Sequence, residues 1–164
     1  IYIKNSCTHV LYQLNDILCN STVNANFMTT FFCRIDRESG VMRYANAGHV
    51  EQIVYRKDTG EFFLLKAVGK PLGWFTDLQL AEEQIQLKAG DRIVFYTDGI
   101  TECAALDNRL FGEELLMDFI RRNTEIPPED FSDKLIDELK SFSGREKFND
   151  DLCLLVLDIV NKNG

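Results

Sequence analysis

The chain has 164 residues, 45% hydrophobic and 27% charged, enough for one soluble domain that buries roughly 70% of the surface its unfolded form exposes. A formal charge of −8 argues against a nucleic-acid backbone or an acidic membrane as partner, because both require a basic face. No apolar run approaches the ~20 residues that span a bilayer, and no basic-then-apolar leader opens the sequence, so a cytoplasmic protein without membrane insertion is expected.

Val10, Leu11, Leu14, Ile17 and Leu18 recur at helical spacing, which predicts an amphipathic helix ending near Asn20. Such an apolar-faced helix needs something to pack against, and its abrupt position leads to the expectation of further sequence upstream. Residues 27–35, 41–44, 52–55 and 61–65 are short β-branched or aromatic runs. Between them, Arg37-Glu38-Ser39-Gly40 and Lys57-Asp58-Thr59-Gly60 place a glycine where a hairpin loop needs positive φ, so an antiparallel meander is predicted.

The stretch with Gly69, Pro71 and Gly73 reads as a structured loop, and residues 78–87 alternate loosely. Lys88-Ala89-Gly90-Asp91 turns the chain into residues 92–97, an apolar run suited to a buried strand that ends at Asp98-Gly99. Two helices are expected next. Residues 112–122 carry Leu115, Leu116, Phe119 and Ile120 on one face, and a helix beginning at Pro127-Pro128 turns Phe131, Leu135, Ile136, Leu139 and Phe142 inward. A last strand over residues 152–160 closes an α+β layered fold, read as a single domain over residues 1–164.

Two elements could carry chemistry. In Phe95-Tyr96-Thr97-Asp98-Gly99 an apolar strand delivers a carboxylate to its exposed end, and Asn149-Asp150-Asp151 places two more just before the closing strand. If those strands are neighbours, Asp98 and Asp150 converge into an all-oxygen site, which suits Mg²⁺ or Mn²⁺ rather than Zn²⁺. Taken singly, each has a plainer reading, Asp-Gly as an ordinary turn and Asp-Asp as a solvated loop. His9 and His49 form no catalytic pair by spacing, and no nucleophile elbow, phosphate loop, zinc spacing or basic phosphate clamp is apparent. Five scattered cysteines without a C-x-x-C pair argue for core thiols rather than disulfides.

In order, the chain presents Met28-Thr29-Thr30-Phe31-Phe32, Asn46-Ala47-Gly48-His49, Gly69-Lys70-Pro71-Leu72-Gly73, Gly90 to Glu102, Phe111-Gly112 and Asp150-Asp151-Leu152. This succession resembles the SpoIIE-type branch of the PPM (PP2C-like) bacterial serine phosphatases, C-terminal two-thirds. The resemblance implies a β-sandwich flanked by helices and hydrolysis of phosphoserine or phosphothreonine on a protein by water bound to a Mn²⁺ or Mg²⁺ pair. It assigns Asp98 and Asp150 as metal ligands, with Asp151 the alternative one position on and Gly99 allowing close backbone approach, while Asn46, Gly48 and His49 would be structural.

The family's first motif, Gly-Gly-Asp followed shortly by Tyr-Asp, supplies the carboxylate that bridges the metals, and the chain contains no such motif. Its absence keeps a second reading open, a catalytically dead PP2C-like module that binds a partner. Missing strands and helix would leave sheet edges bare, so self-association is also expected. The branch further implies an upstream sensor or receiver domain and a phosphorylated regulatory protein, such as an anti-sigma-factor antagonist, as substrate. Two smaller departures, Val50-Glu51 where a proline is usual and Cys153 where threonine is usual, read as packing changes.

Overall fold

The computed structural model describes residues 6–21, 27–148 and 150–160. Along them run α1 (Cys7–Asn20), β1 (Thr30–Ile35), β2 (Val41–Ala47), β3 (Gln52–Arg56), β4 (Glu61–Leu65), β5 (Glu82–Gln86), β6 (Asp91–Tyr96), α2 (Asp98–Thr101), α3 (Gly112–Arg122), α4 (Pro128–Ser143) and β7 (Leu154–Asp158). They fall into two units, one of Ile1–Glu51 with Leu65–Leu87 and one of Gln52–Leu64 with Lys88–Gly164. No helix among the described residues is long and apolar enough to cross a membrane.

In the first unit β1, β2 and β5 form an antiparallel sheet with β2 at its centre. Helix α1 starts where Ser6 Oγ accepts the His9 N–H at 3.3 Å and the Glu82 carboxylate accepts the Cys7 N–H, so two orphan donors at its N-terminus are satisfied by acceptors the helix dipole favours. Its apolar stripe, Cys7 and Leu11 with Leu14 and Leu18, packs on Ala45, Ala47, Leu72 and Leu78. Ile17, predicted on that stripe, lies at its flank and is exposed.

Strand β2 continues three residues past the predicted Tyr44, while residues 27–29 contribute only a bridge between Met28 and Leu72. At the first hairpin, Gly40 takes the predicted positive φ of 70°. The Asp36 carboxylate accepts the Glu38 and Ser39 N–H groups there, and the Ser39 N–H holds its pKa below the usual range. Trp74 is 52% exposed, its ring 4.2 Å from that of Phe27 and 6.5 Å from that of Phe75.

The second unit holds a sheet of order β4-β3-β6-β7. Gln52 stitches β3 to β6 through its side chain, donating to the Tyr96 carbonyl at 3.2 Å and accepting the Tyr96 N–H at 2.7 Å. The buried Arg56 grips Asp91 through two bonds of 2.9 and 3.0 Å, and the Lys88 N–H closes the preceding turn onto the same carboxylate.

Arg92, 1% exposed, donates to both Asp158 oxygens at 2.6 and 2.7 Å, to the Asn123 carbonyl at 3.0 Å and to the Ile126 carbonyl at 2.6 Å, with its guanidinium 5.1 Å from the Phe131 ring centroid. Leu116, Phe119 and Ile120 of α3 and Phe131, Leu135 and Leu139 of α4 are buried as expected. Leu115 and Ile136 are not, being 40% and 37% exposed, because helical spacing puts each at the flank of its apolar stripe.

The thiols divide by environment. Burial pushes Cys7 and Cys33 up to about 11, whereas Cys153 is exposed and departs from the core-thiol expectation. At pH 8 the exposed Cys153 is expected to react with a thiol reagent well before Cys7 and Cys33, whose thiolates burial disfavours, as mass spectrometry of a labelling time course would show. Arg92→Ala, which strands Asp158 and two carbonyls, should cost about 3–5 kcal/mol. A urea midpoint close to that of the native chain would contradict the role assigned to Arg92.

Candidate active site

Strands β6 and β7 lie antiparallel, with Tyr96 opposite Leu154. One residue further on, the Thr97 N–H donates to the Cys153 carbonyl at 3.1 Å, and Thr97 Oγ1 accepts the Cys153 N–H at 3.0 Å, so a side chain carries the ladder past the strand ends. The chain does not make the hairpin turn that Asp-Gly allows. It winds directly into α2, where the Glu102 N–H bonds to the Asp98 carbonyl at 2.7 Å.

Asp98 therefore stands at the junction of a buried strand and a helical turn, with Asp150 and Asp151 on the segment that leads into the neighbouring strand; all three carboxylates are exposed. Gly99 is buried where these segments meet. A Cβ built there would lie 2.6 Å from the Asp151 carbonyl oxygen and 3.2 Å from Leu152 Cδ2, so only glycine lets the backbones approach this closely. The sequence-predicted residues Asp98, Gly99, Asp150 and Asp151 thus come to one end of one strand pair.

Asp98 Oδ1 accepts the Gly99 N–H at 3.1 Å and Asp150 Oδ1 accepts the Asp151 N–H at 2.8 Å, which steadies each carboxylate by its own backbone. Among the described residues neither carboxylate is in an ion pair. The donors are oxygens of the kind Mg²⁺ and Mn²⁺ accept. Among the described residues no group of three or more His, Cys, Asp or Glu is placed to hold an ion.

A cavity of about 130 Å³ opens beside these residues, lined by Gly99, Glu102 and Asp150 on one side and by Ser143, Arg145 and Lys147 on another. Sequence reasoning found no basic group for this site. Arg145 and Lys147 sit in a connection without periodicity, and no pattern singled them out. In the first unit, Asn46 closes its turn by accepting the His49 N–H at 2.7 Å and donating to the His49 carbonyl at 2.8 Å, with Gly48 at φ 73°. That turn is built as a brace, in keeping with the structural role the motif implied. His9 lies on α1 and is exposed.

The model of the Stage II sporulation protein E (SpoIIE) family matches residues 3–160. Among curated proteins, the phosphoserine phosphatase RsbP of Bacillus subtilis is 25% identical over 147 residues, covering 90% of this chain and 34% of that protein. Phosphoserine phosphatase RsbU of the same organism is 27% identical over 150 residues, covering 92% and 44%. The chain thus spans between a third and a half of the length of these relatives. Among solved structures, the SiaA-PP2C domain of Pseudomonas aeruginosa superposes with a TM-score of 0.79 at 19% identity, covering 94% of this chain and 61% of that one. The phosphatase domain of the Bacillus subtilis cell fate determinant SpoIIE, presoaked with Mn, gives 0.71 at 19% identity, covering 97% and 69%.

Gly99→Ala should force the Asp151 carbonyl away and cost about 1–3 kcal/mol, the scale of an overpacked core position. Faster amide exchange at Cys153 and Leu154 in this variant, with the rest of β7 unchanged, would place the disturbance at the strand ends.

Proposed function

Because the chain belongs to the SpoIIE family and has the PP2C-like α+β fold, we propose that residues 1–164 form a phosphatase domain that hydrolyses phosphoserine or phosphothreonine on a protein. The observation that supports this reading is that the paired ends of β6 and β7 lead to Asp98 on one side and Asp150 on the other, with Gly99 and Asp150 lining one cavity. A bound Mn²⁺ or Mg²⁺ would supply an acidified water and neutralise phosphoryl oxygens. This chain's part is to hold Asp98 and Asp150 as ligands, with Asp151 as the alternative to Asp150, and to keep their spacing through the Gly99 backbone contact and the Thr97 hydroxyl.

Each carboxylate has its Oδ1 engaged by the next N–H, which leaves Oδ2 without a partner among the described residues and open to an ion. The substrate we propose is a phosphorylated regulatory protein of the anti-sigma-factor antagonist type, with a sensor or receiver domain governing the phosphatase. Two relatives carry the name phosphoserine phosphatase, which supports phosphoserine as the group acted on. We further propose a cytoplasmic protein that self-associates; a strictly monomeric sedimentation profile at high concentration would remove the latter element.

A second reading, a catalytically silent module that binds a partner through the same fold, is favoured by one fact: no third acidic ligand joins the pair among the described residues. Phosphate release from a phosphoserine peptide, with and without Mn²⁺, separates the two. Turnover that requires Mn²⁺ and falls by ~10²-fold or more in Asp98→Asn and in Asp150→Asn, the scale of losing one preorganised electrostatic group, is expected. Mn²⁺ affinity measured by electron paramagnetic resonance should weaken in both variants. Absence of turnover while Mn²⁺ is bound would select the silent module.

A further inference from the structure

The cavity beside Asp150 contains an arrangement that the proposed reaction does not by itself explain. Helix α4 ends at Gly144 with φ 65°, and the buried Ser143 anchors the chain just beyond it, its Oγ accepting the Arg145 N–H at 3.2 Å. From there charge is sorted by side. Glu146 turns back to Lys140, their charged atoms 3.7 Å apart, while Arg145 and Lys147, one residue to either side of it, line the cavity that holds Gly99, Glu102 and Asp150. Lys147 makes no ion pair among the described residues. The Arg145 charge is felt at the cavity wall: burial raises the Cys103 thiol, and the Ser143 hydroxyl and the Arg145 guanidinium act against it.

In a chain with 26 acidic and 18 basic residues, two cations facing the candidate reaction centre are out of keeping with their surroundings. The size of the cavity narrows what they face. About 130 Å³ is well above the ~10–15 Å³ that one water requires and below the ~300–1,000 Å³ of pockets for whole drug-sized ligands. It suits a single small group entering from a larger molecule. Arginine offers a planar fork that matches two phosphoryl oxygens, and lysine a point charge for a third.

We propose that Arg145 and Lys147 are substrate-binding residues that hold the phosphoryl group of a phosphomonoester against the Asp98–Asp150 end of β6 and β7. The proposal rests on the reading of that end as the reaction centre. Basic residues after a helix C-terminus also complement its dipole, and that structural role predicts different behaviour. A dipole partner affects stability and leaves anion affinity alone.

The test compares the native chain with Arg145→Ala, Lys147→Ala, the double variant and Arg145→Lys. Three quantities are read: affinity for inorganic phosphate and for a phosphoserine peptide by calorimetry in Mg²⁺, Mn²⁺ affinity by paramagnetic resonance, and kcat with KM. Each alanine variant should bind phosphate roughly tenfold or more weakly, as loss of a charge-assisted bond requires. KM should rise more than kcat falls, with Mn²⁺ affinity unchanged and Arg145→Lys recovering part of the loss. Native phosphate affinity in the double variant would overturn the proposal, whatever its thermal stability. If the native chain binds phosphate through these residues yet releases none from the peptide, the phosphatase reading fails while Arg145 and Lys147 keep their part as a phosphate-binding pair.

Discussion

The second unit is organised around a charge that cannot be left unpaired. Arg92 stands near the start of β6, just before the apolar run that begins at Ile93, with its side chain 1% exposed, where an isolated guanidinium would cost several kcal/mol in lost hydration. Its bonds go to Asp158 on β7 and to the Asn123 and Ile126 carbonyls between α3 and α4. Satisfying the charge therefore sets where β7 pairs with β6 and where the helical segment docks. The register propagates from there: Tyr96 meets Leu154, Thr97 meets Cys153, and Asp98 arrives beside the segment carrying Asp150 and Asp151. The position of the candidate carboxylates depends on a buried ion pair several residues away.

Much of this was legible in the sequence where periodicity or turn chemistry is strong. Helix α3 has its predicted bounds, β4 likewise, and Gly40 and Gly60 occupy the left-handed conformation that their hairpins demanded. The readings that failed did so for particular reasons. Helix α2 spans four residues, too short to show a period. The extension of β2 runs through Ala45-Asn46-Ala47, residues of weak strand propensity, and forms because β1 pairs with all three, β5 reaches Ala45, and Asn46 finds backbone partners at His49. Ile17, Leu115 and Ile136 belong to apolar stripes by type and fall off them by angle.

The candidate site shows the same division. Asp98 and Asp150 could be named because each stands where an apolar run meets a turn, and the pairing of β6 with β7 brings the two ends together. Arg145 and Lys147 could not, since a cation in an irregular connection carries no signal until the fold shows what it faces. Cys103, on the wall of that cavity, likewise came from the sequence only as a core thiol. The contribution of Gly99 lies between these cases: the motif suggested a close approach, and the structure identifies the atom approached as the Asp151 carbonyl oxygen.

The exposed indole of Trp74 has a use of its own. It is the chain's single tryptophan, and it lies in the first unit against Phe27, while the second unit contains only tyrosine and phenylalanine as fluorophores. Long-wavelength ultraviolet excitation therefore reads the first unit alone, whereas far-ultraviolet dichroism weighs the helices of both, most of them in the second. The protein carries its own optical label on one unit. Whether emission and dichroism change together during unfolding then distinguishes one cooperative block from two without any added probe.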